Sequence, residues 1–387
     1  MRVHFIAIGG SAMHNIALAV AAAGHAVTGS DDQIFEPSRG RLAAADLLPD
    51  QDGWHPEKLD ESIDVVVLGM HARPDNPELL KAQSLGLQIQ SYPEFLRAAN
   101  GHAKRVVIGG SHGKTTVTSM LLHVMQGMDI STNFMVGAQL EGFDRMVEID
   151  PQHNWCILEG DEYLSSPIDR RPKFFWYEAQ FTLLTGIAWD HINVFPTEEI
   201  YIQQFDTYLD SLAPNARVVW CSEDAALEKV VKRCKRQDLT FIPYRTPAYS
   251  PQADGTMTLT FEGNRSVTTH LVGTHNIQNL AGARTLAQVM GLDVVAFDEA
   301  IASFRGAARR LEPLHNREGF TVFRDFAHAP SKVKATVSGV KASYPNRTLT
   351  AVLELHTFSS LNKDFLPTYA QAMDRADEAV VYYDPAV

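Results

Sequence analysis

The sequence predicts an α/β fold built from three consecutive units, and three observations carry that prediction. Short strand-like runs, Val3–Ile8 and the β-branched Val106–Ile108 among them, stop at the glycine pairs Gly9-Gly10 and Gly109-Gly110. Each is followed by an apolar pattern of helical spacing, the alternation expected of buried parallel strands and the helices that cover them. Between Thr240 and Leu271 alternation returns, as in T-M-T-L-T-F-E from Thr256 to Glu262, which predicts short antiparallel strands in a small sheet. Expected boundaries near Asn100-Gly101-His102 and at Arg305-Gly306 divide the chain into 1–102, 103–305 and 306–387. A length of 387 residues suits roughly two or three domains.

Composition removes several functional classes. The chain is 45% hydrophobic and 21% charged, which supports sizeable cores. Its net charge of -12 gives no global attraction for nucleic acid or an anionic membrane. Cys156, Cys221 and Cys234 are scattered and odd in number, which argues for reduced thiols and a cytoplasmic address, not a disulfide frame or a zinc site. The opening apolar run is cut by two glycines, so no signal peptide is expected. No apolar run approaches the roughly 20 residues of a membrane span.

In the first unit, a strand over Val3–Ile8 leads through Gly9-Gly10-Ser11 into an Ala-rich helix ending at Ala23. A second strand from Ala26 to Gly29 closes on Ser30-Asp31. This is the opening of a doubly wound nucleotide-binding unit, and Asp31 stands where an acid would hold a ribose hydroxyl. Ser11 and His14 occupy the second and third glycine positions of a G-x-G-x-x-G fingerprint, so a nicotinamide enzyme is the weaker reading. A third strand, Asp64–Leu68, ends in Gly69-Met70-His71-Ala72-Arg73. His71 and Arg73 are either pyrophosphate or sugar contacts or solvated loop residues.

The second unit opens on V-V-I-G-G-S-H-G-K-T-T-V-T from Val106 to Thr118. Strand, glycine turn, Gly-Lys-Thr and helix, in that order, form a phosphate-cradling loop. The backbone N–H groups of the loop and the positive end of the following helix would face phosphate oxygens. Lys114 would meet the β- and γ-phosphates of a nucleoside triphosphate, and Thr115 would offer its hydroxyl to Mg2+. Three residues separate Gly109 from Gly113, one fewer than the standard pattern. Trp155–Leu158 then reads as a buried strand delivering Glu159-Gly160-Asp161-Glu162, where a magnesium ligand or a solvated acidic turn is expected. Phe181–Ile187 is a further strand, after which His191 is read as a metal or phosphate ligand ahead of a core histidine. Gly273–Asn279 opens a helix with Asn276 and Asn279 at i, i+3, on one face, where they would read a purine edge or cap the helix.

A basic hinge, Arg305 to Pro313, introduces the third unit. Strands are expected over Thr321–Phe323, Leu349–Leu353 and Val380–Tyr383, with a helix from Ser331. The first of these strands closes on Asp325-Phe326-Ala327-His328-Ala329-Pro330. The last is expected to be left at an edge without a covering element.

Taken together these stretches resemble the Mur ligases, the ATP-dependent amide-forming enzymes of peptidoglycan assembly. S-H-G-K-T-T resembles the family's shortened phosphate loop, L-E-G-D-E its acidic strand end and W-D-H its histidine strand end. G-T-H-N-I-Q-N resembles its adenine-contacting segment, R-R-L-E its hinge arginine and D-F-A-H-A-P its ribose-contacting aspartate. The resemblance implies three domains: an N-terminal Rossmann-like UDP-binding domain, a central ATPase-like domain and a Rossmann-like C-terminal domain that normally continues past Val387. It implies ATP contacts at Gly110, Ser111, His112, Gly113, Lys114, Thr115, Thr116, Asn276, Asn279, Arg309, Arg310 and Asp325. Metal ligands are implied at Thr115, Glu159 and His191. Contacts to a UDP-muramoyl substrate are implied at Gly9, Gly10, Ser11, Met13, Ser30, Asp31, His71 and Arg73. His328 is implied near the incoming amine. E-G-D-E-Y-L-S-S-P-I-D-R-R-P-K-F is similar to the recycling members that join UDP-N-acetylmuramate to L-alanyl-γ-D-glutamyl-meso-diaminopimelate. L-E-L-H-T-F-S-S has the flavour of the L-alanine-adding members instead. A catalytically silent ATP-binding relative is the third alternative.

Overall fold

The computed structural model describes residues 1–140, 142–143, 145–189, 194–252, 256–263, 265–307, 310–317, 319–357 and 359–384, with only the backbone at Asn316. His191 and Arg309 therefore lie outside the described residues.

In the first unit, β1 (Arg2–Ile6), α1 (Ser11–Ala22), β2 (Ala26–Ser30), α2 (Ser38–Ala44), β3 (Val65–Leu68), α3 (Pro77–Ser84), β4 (Ile89–Ser91) and α4 (Tyr92–Ala99) follow in order. The strands form a parallel sheet ordered β2-β1-β3-β4, with Ile6 level with Ser30 and Leu68. The glycine turns therefore share the carboxyl edge, where open α/β sheets bind ligands. Local chemistry sets the helix starts. Asn76 accepts from the N–H groups of Glu78 and Leu79 with Pro77 at the first position, and Ser91 with Glu94 forms a capping box on α4.

The second unit runs through β5 (Lys104–Gly109), α5 (Lys114–Gly127), β6 (Asn133–Met135), β7 (Val147–Glu148), β8 (Trp155–Gly160), β9 (Phe181–Leu184), α6 (Glu198–Ser211), β10 (Arg217–Cys221), α7 (Ala225–Arg233) and β11 (Thr240–Tyr244). Among the described residues these strands make one sheet ordered β11-β10-β9-β5-β8-β6-β7, parallel except for β7. The phosphate-loop strand β5 is central, with β8 and β9 on either side, so Gly109 lies level with Gly160 and Leu184. β12 (Ala248–Pro251), β13 (Met257–Phe261) and β14 (Arg265–Thr269) form the expected antiparallel sheet, and α8 (Thr274–Met290) and α9 (Val294–Ile301) pack against α5. Thr240–Tyr244 corrects the sequence reading: it pairs parallel with β10, at the edge of the large sheet. The run T-F-I-P-Y is short and carries Pro243, which suits an edge strand but gives no sign of the direction of its neighbour.

The third unit has β15 (Glu312–Arg317) paired antiparallel with β16 (Phe320–Arg324), then α10 (Pro330–Ser343) and the parallel pair β17 (Thr350–Leu355) and β18 (Glu378–Tyr383). The expected hinge is shorter than read, because β15 starts at Glu312. Val380, Val381, Tyr382 and Tyr383 on β18 are about half exposed.

The units meet through apolar and polar contacts: one buried apolar cluster runs from the first unit into the second, and Val272, Leu311 and Val340 form another between the second and third. Arg97 on α4 pairs with Glu178 at 2.5 Å, and Asn133 donates to Asn100 at 2.7 Å. At the other junction a Cβ on Gly339 of α10 would sit 2.8 Å from the Gly273 Cα at the start of α8. Below the large sheet, Phe174 stacks on Tyr208 at 4.2 Å and 4°, both fully buried. Phe174→Ala is expected to lower the stability of the central unit by about 3–5 kcal/mol, measured as the shift of its urea transition. A shift below 1 kcal/mol would show that this stack is not what holds α6 to the sheet.

Candidate active site

The site forms where β5, β8 and β9 end together. Gly110 and Gly113 have φ of 121° and 75°, a region L side chains avoid. Space forbids side chains as well: a Cβ on Gly110 would lie 2.2 Å from Thr185 Oγ1, and one on Gly113 would lie 2.3 Å from Asn279 Oδ1. Ser111 N–H donates to the Gly186 carbonyl at 3.0 Å, and the Thr185 hydroxyl donates to the His112 carbonyl at 2.5 Å. The loop is thus moulded onto the end of β9 and onto α8.

Lys114, the first residue of α5, donates to Glu162 and to the Gly110 carbonyl, each at 2.7 Å. Glu162 is fully buried and also accepts from the Tyr201 hydroxyl at 2.8 Å, which in turn shares a bond with Ser111. Burial opposes the Lys114 charge, but Glu162, Asp161 and Glu159 outweigh it and hold the ammonium above its usual range. Thr115 Oγ1 donates to Glu159 at 3.1 Å, and the other Glu159 oxygen accepts from Gly137 N–H at 2.8 Å. Burial, reinforced by the charge of Asp161, pushes the Glu159 carboxyl up to about 7. A half-buried carboxylate beside a threonine hydroxyl fits a hard cation with oxygen ligands. Among the described residues no three histidine, cysteine or acidic side chains converge on a metal position.

A cavity of about 390 Å3 joins the phosphate loop to α8 and to the third unit. Thr116, buried behind Thr115, lines it along with Ser111, His112, Asn276 and Asn279. The Asn276 amide donates to the Val272 carbonyl at 2.8 Å, so part of its hydrogen-bonding capacity goes to its own helix start. From the third unit, Arg310 donates to Thr115 at 3.3 Å and lies over the Phe326 ring. Asp325 accepts from Thr336 at 2.5 Å, and His328 shares a 2.8 Å bond with the Phe326 carbonyl. His112 meets Ser331 of α10 at 2.7 Å, which closes the third unit over the loop.

The other group of expected residues gathers at the carboxyl edge of the first sheet. Gly9 N–H donates to Asp31 at 2.7 Å, and Asp32 N–H donates to its other oxygen at 3.0 Å. The carboxyl expected to meet a ribose therefore also braces the Gly9-Gly10 turn, and burial with the adjacent Asp32 pushes it up to about 7. Ser11 is exposed at the start of α1, while Met13 and Ser30 are buried beneath it. His71 and Arg73 are exposed, and Arg73 leans on Asp75 at 3.6 Å. His14, in a glycine position of the dinucleotide pattern, is buried and bonds the Gly10 carbonyl and Ser38.

Sequence reasoning passed over Tyr201 and Thr185, which shape the loop, and gave Glu162 no role of its own. Tyr201 reads as one apolar position of an amphipathic helix, so no local signal separates its hydroxyl from its ring. Glu162 did carry a signal, as the third acid after a buried strand.

Among known proteins, the family described as "Mur ligase family, catalytic domain" matches residues 2–102, and that described as "Mur ligase middle domain" matches residues 108–287. The UDP-N-acetylmuramate–L-alanine ligase of Arthrobacter sp. (strain FB24) is 29% identical over 98% of this chain and 80% of its own length. That of Carboxydothermus hydrogenoformans is 28% identical over 98% and 81%. A crystal structure of a murein peptide ligase from Psychrobacter arcticus superposes with a TM-score of 0.73 at 25% identity, covering 99% of this chain and 84% of that one. The UDP-N-acetylmuramate–alanine ligase of Thermotoga maritima gives 0.73 at 21% identity, covering 99% and 85%, and shows the fold.

Glu159→Gln tests the electrostatics. A carboxyl held near 7 in the folded protein, against about 4.3 when unfolded, costs stability progressively as pH rises through the folded value. The ligand-free variant is expected to melt above the parent by a margin that widens from pH 5.5 to pH 8, followed by circular dichroism. A parent that melts higher than the variant at pH 8 would reverse the assignment.

Proposed function

Because the chain belongs to the Mur ligase family, whose members are ATP-dependent ligases forming C–N bonds in peptidoglycan assembly, we propose a specific reaction for it. It joins UDP-N-acetylmuramate to L-alanyl-γ-D-glutamyl-meso-diaminopimelate. The observation that carries the reaction type is the arrangement of Lys114, Thr115 and Glu159 around the phosphate loop. The peptide reading is supported by the segment after Glu162, which is built for more than a turn. Ser165 holds the Arg171 carbonyl, Arg171 pairs with Asp169 at 3.0 Å and lies over Trp176, and Arg170 beside them is exposed. Cationic side chains on a rigid hairpin suit a peptide with several carboxylates better than a single alanine. Solved structures of a murein peptide ligase and of a UDP-N-acetylmuramate–alanine ligase superpose equally well, at a TM-score of 0.73, so the fold suits either amine. The L-alanine reading is favoured by the curated relatives at 28–29% identity.

A carboxylate is a poor acyl donor, so its oxygen first attacks the γ-phosphorus of ATP, releasing ADP and leaving an acyl phosphate. The amine adds to the acyl carbon, and the tetrahedral species collapses with loss of phosphate and a proton. The first step brings two anions together, so catalysis is mainly alignment and neutralisation. Lys114 leaves Glu162 for the β- and γ-phosphates, while Tyr201 keeps hold of the vacated carboxylate. The loop N–H groups orient the phosphate chain. Asn276 and Asn279 face the purine, Asp325 the ribose and Arg310 the phosphates, and His328 stands on the side of the amine. Residues Gly9, Gly10, Ser11, Met13, Ser30, Asp31, His71 and Arg73 form the UDP-muramoyl site. Thr115 and Glu159 would hold Mg2+, which supplies positive charge at the phosphates when bound, and His191 is the proposed further ligand.

Phosphate release with UDP-N-acetylmuramate and each amine separates the readings. The tripeptide is expected to exceed L-alanine in kcat/KM on the order of a hundredfold. The reverse order would make the chain an L-alanine ligase, and ATP binding without turnover on either amine would make it a silent relative. Lys114→Ala is expected to lower kcat by about a hundredfold or more, and full activity in that variant would refute the site.

A further inference from the structure

One buried cation near the site has no part in the scheme above. Lys173 is 5% exposed, and its ammonium lies 3.3 Å from Asp161, the residue between the acids that face Thr115 and Lys114. The same ammonium stands over the ring of Tyr163 at 3.7 Å and over that of Tyr92 at 4.9 Å. Backbone bonds close the cage: Lys173 N–H donates to the Tyr163 carbonyl and Phe174 N–H to that of Asp161.

Tyr92 belongs to the first unit. It opens α4 directly after Ser91, which is level with Leu68 at the end of β3, the strand that carries the His71–Arg73 loop. A continuous path therefore runs from the carboxyl edge of the first sheet, through Tyr92 and Lys173, to Asp161 and the end of β8. A purely stabilising purpose is a weak explanation for it. Buried ion pairs are often no better than apolar packing, and their attested use is to fix one arrangement among alternatives. A desolvated ammonium between two aromatic faces is likewise directional.

We propose that Lys173 is a positioning residue for the ligase reaction, holding the acidic end of β8 in register with the UDP-binding unit so that the two substrate sites are energetically coupled. The inference rests on the reading of the first sheet as the UDP-muramoyl site. Because coupling is reciprocal, it can be read from binding alone.

The test is calorimetric titration of ADP with Mg2+, in the presence and absence of saturating UDP-N-acetylmuramate, on the parent and on Lys173→Met. The parent is expected to show an affinity change of about fivefold or more, and K173M to lose it while each ligand alone binds within about threefold of the parent. In turnover, kcat is expected to fall with the KM for ATP little changed. A merely structural lysine would instead lower Tm and leave both coupling and kcat intact, which overturns the proposal, as does a parent without coupling. Lys173→Gln, which still donates to Asp161, and Tyr92→Leu, which removes one face of the cage, cover a K173M protein that fails to fold. Each is expected to weaken the coupling, and unchanged coupling in either overturns the proposal. Failure of the underlying reading looks different: the parent then binds no UDP-N-acetylmuramate at all.

Discussion

Negative charge is concentrated at the end of β8, and the rest of the site is arranged around containing it. Glu159, Asp161 and Glu162 leave one strand within four residues, against the loop that must receive a polyanion. Burial makes such charges expensive unless they are paired. Glu162 has Lys114 and Tyr201, and Asp161 has Lys173, whose charge together with that of Lys114 outweighs burial and keeps the carboxyl below its usual range. Glu159 has a threonine hydroxyl and a backbone N–H, and its carboxyl is pushed up to about 7. This asymmetry is what would suit the position to the proposed cation. It also bears on how a phosphate loop can sit beside three acids: Glu162 and Asp161 are already paired with Lys114 and Lys173, and Lys114 is the cation proposed to turn from Glu162 to the phosphates.

The topology delivers that arrangement with few special residues. Placing β5 between β8 and β9 puts the loop, the acids and Thr185 at one edge. Gly110 and Gly113 then allow the backbone to pass between Thr185 and Asn279, where any side chain would collide. The third unit completes the pocket through Arg310, Asp325 and the start of α10, and His112 to Ser331 ties it to the loop. Closure of that unit over the phosphates is the step that such sites use to assemble their last groups.

Much of this was legible in the chain because the informative features are local. A strand stopping at Gly109-Gly110 and a helix starting at Lys114 specify the phosphate loop from a few adjacent residues, as do the acids after Trp155–Leu158. What was not legible depends on contacts across long sequence separations. The Tyr201 hydroxyl reaches Ser111 over 90 residues, and Lys173 finds Tyr92 in another unit. Neither contact has a periodicity. The edge strand Thr240–Tyr244 falls in the larger sheet for a related reason, since a five-residue run carries no mark of its neighbour's direction, which pairing with Arg217–Cys221 sets. Family membership carried the assignment of the amine no further than two candidates, because the acidic-loop sequence favours the peptide and the curated relatives favour L-alanine.

The central claim, that Glu159 is a carboxyl left partly protonated until a cation neutralises it, can be measured without turnover. Binding of ADP with Mg2+ at pH 7, titrated calorimetrically in buffers of different ionisation enthalpy, counts the protons released. A group half ionised at that pH is expected to release about half a proton more in the parent than in Glu159→Gln. Equal proton release from the two proteins would contradict the account.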